Sequence, residues 1–299
     1  HNGPVNINAN QKEYHVVLAG VGLQYTVFNT TNFYANAAQA FRPVLYSDLT
    51  PSSTTDVIDN NLKASSGINV DFGYRGSYKD FLAFDVSGYY LLYKNRIGNL
   101  LKYTDNDPTK SSYIFKTNLG NTRSIGFEGF VEVDVVKPFT QKRKYGTLSL
   151  FTSIAVTDAR YQNYTLYKSS GTAPNIVINE VSLKNKRVEY APLHNHKFGA
   201  TYKIKDFSTT LQVSVTSSVY TDAENTEKAN ATATVGKLGG YTLLDWSFTY
   251  NFLKYFNVKG GINNLTNKKY ATRRSGGYPG PGILPADGIT WFVSFGIKI

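Results

Sequence analysis

The chain has 299 residues, 41% hydrophobic and 14% aromatic, with no cysteine and a formal net charge of +11. That length is too great for a small stapled scaffold and allows a large core or a large barrel. Without cysteine, disulfides, thiolate metal sites and cysteine nucleophiles are excluded. No apolar run reaches the ~18 residues of a membrane-spanning helix. Tyr (23) outnumbers Phe (18), an excess of amphipathic aromatics that suits membrane interfaces and also sugar-binding β proteins. The polar start His1-Asn-Gly-Pro is not a signal peptide, and the missing initial Met reads as a processed or partial chain. The positive charge is either a solvated surface or an attraction for an anionic ligand or lipid. Nucleic acid is not an expected partner, because the basic residues are scattered over loops and turns.

In chain order, residues 1–16 are polar and Asn-rich and read as a loop. The first strand is expected at about 17–28 and the second at 32–42, with Phe33, Ala35, Ala37 and Phe41 on one side. A long polar loop follows at 43–65. The third strand covers about 66–76. The fourth, 81–96, sets Phe84, Val86, Tyr90 and Leu92 against Asp85 and Ser87. After a polar loop at 97–111, a long fifth strand runs over 112–136, with Ile125, Phe127, Val131, Val133 and Val135 opposed to Glu128, Glu132 and Asp134. The sixth strand spans about 145–157. Loop 158–188 is the longest of the chain, and the seventh strand covers 189–204. The eighth strand carries Leu211, Val213, Val215 and Val219 on one face and leads into loop 221–239. The ninth alternates Leu244, Trp246, Phe248, Tyr250 and Phe252 with polar residues. The tenth spans 256–266, and the eleventh alternates Ile289, Trp291, Val293, Phe295, Ile297 and Ile299.

Sustained period-two alternation is the antiparallel signature. The strands are longer than the ~5–6 residues usual in globular proteins and match the ~9–11 needed to cross a bilayer at a tilt. Connections alternate strictly between short (29–31, 77–80, 137–144, 205–206, 253–255) and long (43–65, 97–111, 158–188, 221–239, 267–288). Short turns on one rim and long loops on the other are how outer-membrane barrels are built. The expected fold is therefore all-β, a transmembrane antiparallel barrel wall with its long loops outside the cell and residues 1–16 as the remnant of an outer loop. Single-chain bacterial barrels use even strand numbers, and an open arc of eleven leaves two unpaired edges. Either partner strands lie elsewhere, or the fifth strand hides a hairpin at Gly120-Asn-Thr-Arg123.

Several stretches, in order, resemble TonB-dependent outer-membrane receptors, most like the ferric dicitrate receptor branch. They are Phe33-Tyr-Ala-Asn-Ala-Ala-Gln-Ala-Phe-Arg-Pro43, Tyr93-Lys-Asn-Arg-Ile-Gly98, Thr117-Asn-Leu-Gly120 with Gly126-Phe-Glu128, Tyr220-Thr-Asp-Ala-Glu-Asn-Thr226, and Asn263-Asn-Leu-Thr-Asn-Lys-Lys-Tyr270 followed by Arg273-Arg274 and Gly277-Tyr-Pro-Gly-Pro-Gly282. The resemblance covers nearly the whole chain. It implies a 22-stranded barrel with a plugged lumen, of which this chain is the C-terminal half. The N-terminal barrel half, the plug domain and the TonB-binding segment are absent from the sequence. The final Ile299 stands where the family usually ends in Phe. The implied function is import of a ferric chelate, such as ferric dicitrate or a siderophore, powered through TonB. The implied partners are the remaining strands, the plug, TonB, and outer-membrane lipid and lipopolysaccharide. A passive porin and a secreted β-rich binding or adhesion protein are the alternatives.

No catalytic constellation is present, so an enzyme is not expected, and the chelate is cargo rather than cofactor. His194 and His196 share a strand face in a geometry that could hold a metal, but their phase with Phe198 and Tyr202 favours an interfacial role. Tyr34, Tyr202, Trp246 and Trp291 read as aromatic-belt residues. An anionic chelate needs fixed cations, and guanidinium groups match carboxylates bidentately. The candidate ligand residues are Arg42 and Arg96 at strand ends, and Lys269, Arg273, Arg274 and Tyr278 in loop 267–288. Solvated loops, lipopolysaccharide phosphate contacts, or packing of Arg42 and Arg274 against neighbouring loops are the competing roles. The Gly-Tyr-Pro-Gly-Pro-Gly stretch lacks a following helix and reads as a rigid hairpin-like excursion, not a phosphate loop.

Overall fold

The computed structural model describes residues 12–50, 57–103, 112–140, 143–170, 175, 177–231, 233–275 and 282–297. The strands are β1 (Gly20–Phe28), β2 (Thr31–Arg42), β3 (Val57–Ile58), β4 (Ser65–Tyr78), β5 (Leu82–Tyr103), β6 (Ser112–Asp134), β7 (Thr147–Tyr161) and β8 (Thr165–Ser170). They continue as β9 (Val177–Ser182), β10 (His194–Ile204), β11 (Phe207–Thr216), β12 (Tyr241–Phe252), β13 (Phe256–Asn263), β14 (Ala271–Ser275), β15 (Gly282–Pro285) and β16 (Thr290–Ile297). One short helix, α1 (Tyr46–Leu49), lies between β2 and β3.

Eleven strands form one antiparallel meander in the order β1-β2-β4-β5-β6-β7-β10-β11-β12-β13-β16, and β3 adds two parallel pairs to β6. The count of eleven wall strands stands. Gly120-Asn-Thr-Arg123 is not a hairpin: β6 is continuous, and Gly120 (φ 131°) marks the irregular pairing opposite Arg96. The sheet does not close on itself, and β1 and β16 are its two edges.

Register assigns every side chain to a face. On one face lie Val21, Leu23 and Tyr25, then Phe33, Ala35 and Ala37 opposite them, then Tyr74, Phe72 and Val70. The same face continues through Val86 and Tyr90 to Ile125, Phe127 and Val131, and through Ile154 and Val156 to His194, His196 and Phe198. It ends in Leu211 and Val213, Leu244 and Trp246, and Val293 and Phe295. Many of these apolar side chains are exposed, Trp291 by 78%. The opposite face is polar and hydrogen-bonded across strands. Tyr34 donates to Asp85 (2.8 Å), Asn36 to Asp71 (2.8 Å) and Arg75 to Asn32 (3.2 Å). Tyr34 is therefore a polar-face residue rather than a belt residue, because it alternates with Phe33 and Ala35. Trp246 is on the apolar face but in mid-strand, where its Nε1 donates to Thr209.

Buried apolar side chains are few. Among the described residues they are Val44, Leu62, Ala159, Tyr161, Tyr164, Leu183 and Leu238, all at the loop end of the sheet. The main sheet is a single layer, and Tyr14 packs its ring against Phe41 at the loop end.

Other differences from the sequence reading concern the ends. β5 runs to Tyr103 and pairs with β6 as far as Ser112, so much of the expected loop 97–111 is a rising hairpin. A ladder that packs against no apolar layer needs no apolar face, so no alternation marks it. Loop 158–188 contains the β8–β9 hairpin. Loop 267–288 contains the β14–β15 pair, and the Gly/Pro-rich stretch 277–281 between them lies outside the described residues. β10 starts five residues later than expected, because Tyr190 has φ 57° and Pro192 has no amide hydrogen to donate. β13 stops at Asn263, before Asn264 (φ 51°). Turns at the short end use left-handed residues, as at Leu253 and Lys254 (φ 49° and 62°), the paired positive φ of tight hairpins.

Gly120 offers a test of this arrangement. A Cβ there would meet the Asn163 carbonyl, in a backbone conformation that other residues rarely adopt. Gly120→Ala is expected to destabilise the loop end by about 1–3 kcal/mol, read as a lower melting temperature of the assembled barrel in detergent.

Candidate ligand-binding rim

The loop end is built from five connections, each tied to the next. In the first, Arg42 closes the chain around α1 by an ion pair with Asp48 (2.9 Å), whose carboxylate also accepts from the Leu45 amide (2.9 Å). Burial pushes the Asp48 carboxyl up, but the Leu45 amide and Arg42 outweigh it and hold it below the usual carboxylate range. The Asp48 hydrogen bond raises Arg42 in turn. This connection then binds β6. Lys116 donates to the Ser47 carbonyl (2.9 Å), Thr117 to Asp59, and Asn118 to the carbonyls of Lys63 and Asn95 (both 2.9 Å).

The third connection, from β7 to β10, carries a small core of Tyr161, Tyr164 and Leu183, with Leu166 of β8, Val181 of β9 and Ala223 against it. Arg96 reaches this core from the base of the β5–β6 hairpin. Its Nη2 lies 3.2 Å from Glu189 Oε1, its guanidinium sits 5.6 Å from the Tyr161 ring centre, and the Tyr161 hydroxyl donates to Glu189 Oε2 (2.6 Å). Burial first, then the Glu189 charge, drives both phenols upward, Tyr164 to about 12 and Tyr161 further.

The fourth connection is joined through Asn225, whose amide group accepts from Arg187 N (2.7 Å) and donates to Arg187 O (2.8 Å). Tyr190 N donates to Tyr220 O (2.8 Å). The fifth is joined through Arg274. Its Nε donates to Gly236 O and its Nη1 to Ala233 O, both at 2.8 Å. Asn264, 3% exposed, holds the base of that connection by exchanging hydrogen bonds with Lys268.

Arg42, Arg96 and Arg274 thus each have a partner inside the chain: Arg42 closes the first connection on itself, while Arg96 and Arg274 act as struts between connections. Arg273 and Lys269 are exposed, and their side chains have no hydrogen-bond or ion-pair partner among the described residues. Tyr278 lies outside the described residues. Arg96 and Arg274 are linked through Glu189 and Tyr190, since the Arg274 amide points to the Tyr190 hydroxyl (3.5 Å). Sequence reasoning missed the basic run Lys184-Asn-Lys-Arg187 and also Arg123 and Arg160. The run was visible in the sequence, while the relation of Arg123 to Arg160 is a matter of strand register. His194 and His196, with ring centres 5.4 Å apart, lie on the apolar face, and among the described residues no cluster of three or more metal-ligating side chains forms.

A long antiparallel meander with a polar face, an apolar face, short turns at one end and elaborated loops at the other is a large section of a β-barrel of the membrane type. Residues 1–265 match the TonB-dependent receptor-like β-barrel family, and the chain belongs to that family. Solved structures agree in fold. The ferric citrate transporter FecA in its unliganded form is 21% identical (TM-score 0.68), over 94% of this chain and 38% of that one. The copper transporter OprC is 16% identical (TM-score 0.66), over 93% and 39%. The ferric yersiniabactin uptake receptor FyuA from Yersinia pestis is 16% identical (TM-score 0.62), over 94% and 37%. The chain spans about two fifths of the length of these structures. No curated protein sequence matches it.

The tyrosine core gives a pH test. A phenol held above its ordinary value of 10 stabilises the rim fully below pH 10, and that contribution is lost as the pH rises through the folded value, about 12 for Tyr164. Tyrosinate absorbance of the assembled barrel should show two late-titrating phenols, with loop proteolysis rising over the same interval. Glu189→Gln removes the charge that opposes ionisation and should bring both forward. Ionisation of every tyrosine together near pH 10 would contradict the buried core.

Proposed function

We propose that this chain is the C-terminal wall and loop rim of an outer-membrane receptor that imports an anionic ferric chelate of the citrate or siderophore type. Membership of the TonB-dependent receptor-like family is the observation that carries this reading. In it, the apolar face meets lipid, the polar face lines the lumen, and the short turns lie in the periplasm. The upstream strands would pair with the β1 and β16 edges, a plug would fill the lumen, and TonB would supply the energy through a segment outside this sequence.

The fifth connection supports an anionic ligand. Lys268, Lys269 and Arg273 are exposed there with Asp287 as the only acid between Leu265 and Ile289. Arg274 fastens the hairpin to the fourth connection, which leaves Arg273 on a supported strand rather than a free loop. The fold alone does not choose the cargo, since a copper transporter shares it.

Two experiments test this reading. In the assembled receptor, Arg273→Ala with Lys269→Ala should weaken ferric dicitrate binding by roughly tenfold in calorimetry, about 1.4 kcal/mol. Unchanged affinity would remove the hairpin from the site. For the membrane placement, Leu211→Arg on the apolar face should cost about 2–4 kcal/mol of barrel stability, whereas Gln212→Arg on the polar face should be tolerated. Equal effects would contradict the assignment of faces.

A further inference from the structure

Register brings three arginines into one row. Arg123 on β6 stands directly opposite Arg160 on β7, and Arg160 directly opposite Arg187 in the segment that returns along β7. Residues directly opposite on antiparallel strands share a face. This is the apolar face, since Arg123 alternates with Ile125 and Phe127 and Arg160 with Val156 and Ile154. On β6 and β7 the row lies just past the last apolar residues of this face, Ile125 and Val156. On β5 the same level is held by Leu92, which pairs with Arg123, and Lys94 follows two residues further toward the loops.

Like charges directly opposite one another on neighbouring strands are destabilising. The crowding is greatest between Arg160 and Arg187. Tyr161 N donates to Lys186 O and Val188 N to Ala159 O on either side of them, so they form a non-hydrogen-bonded pair, the closer of the two antiparallel arrangements. One carboxylate answers the row. Asp158 takes Arg160 Nε at 2.9 and 2.7 Å, while Arg160 Nη1 donates to Asn185 O (2.8 Å). Among the described residues the side chains of Arg123 and Arg187 have no hydrogen-bond or ion-pair partner, yet both are half-buried. Two of the three positions are fixed in advance, Arg160 by Asp158 and the Arg187 backbone by Asn225.

We propose that Arg123, Arg160 and Arg187 form a binding site on the outside of the barrel for the phosphorylated headgroup of an outer-leaflet glycolipid. Neighbouring strands are ~4.8 Å apart, so the row spans about 10 Å, wide enough to engage more than one phosphate oxygen cluster. Guanidinium groups match phosphate bidentately and are more weakly hydrated than ammonium groups, which suits an interfacial site. The acyl chains of the same lipid would run down the apolar face beside Ile125, Phe127 and Val156. The site rests on the outer-membrane placement but not on the identity of the transported ligand, so failure of chelate binding leaves it standing.

The test uses the assembled barrel, delipidated in detergent and titrated with diphosphorylated lipid A, its dephosphorylated form and inorganic phosphate, with retained lipid read by native mass spectrometry. The wild type should retain the phosphorylated form roughly tenfold better than the dephosphorylated form. R123Q/R187Q should abolish that preference at unchanged thermal stability, and R123K/R187K should keep part of it. Equal retention of both lipids, or an unchanged preference in R123Q/R187Q, would overturn the proposal. So would displacement of lipid by equimolar inorganic phosphate, which would mark a site for a free anion. If the variants fail to assemble, the wild type decides: retention that falls with rising salt supports the site, and salt-independent retention overturns it.

Discussion

The constraint on which this structure depends is that its main sheet has no core. Eleven strands pair in a single layer, with aromatic and aliphatic side chains exposed along one face. Such a layer owes its cohesion to the backbone ladder, in which each inner strand satisfies its amides and carbonyls against two neighbours. In hydrocarbon that ladder is obligatory, because no water is present to accept an unpaired group. The same reasoning applies to the edges. β1 and β16 each carry one unpaired row, which in the proposed placement further strands would pair. The open sheet and the partial coverage of the solved receptors describe the same situation.

The rim obeys the opposite rule. There the chain builds a small dry interior from Tyr161, Tyr164 and Leu183, and its arginines bridge loops. A guanidinium has five donors in a fixed fork, which makes it as good at collecting backbone carbonyls as at holding a carboxylate from outside. Arg274 does the former and thereby separates the role of its neighbour Arg273, which points into solvent. Paired arginines in a loop need not share a task. Alternation along a hairpin strand sends one inward and the other outward.

Much of the wall was legible in the sequence because period-two alternation is a local signal. Val213 and Val215 flanking Ser214, or Phe248 and Tyr250 flanking Thr249, reveal a two-faced strand without knowledge of any partner. The β5–β6 extension and the β8–β9 hairpin were not legible, because their strands carry no sustained apolar stripe. The uses of Arg42, Arg96 and Arg274 were hidden for another reason. The partners Glu189 and Gly236 are set by how loops fold over one another, and no spacing encodes that; Asp48, six residues from Arg42, is brought back by the turn at α1. The Arg123–Arg160–Arg187 row belongs to the same class, since it exists only through the register of β6, β7 and the returning segment. Tyr34 was misplaced although its neighbours Phe33 and Ala35 already fixed its face.

The rim core has a consequence for how the molecule comes apart. Its contacts are mostly local in sequence, within the β8–β9 hairpin and the turn at Asn185. In the proposed placement they stand in water, while the wall relies on lipid and on further strands. Two regions held by different solvents form separate cooperative units. Removing the bilayer would dissolve the wall first, and the tyrosine-rich cap could outlast it as a folded remnant.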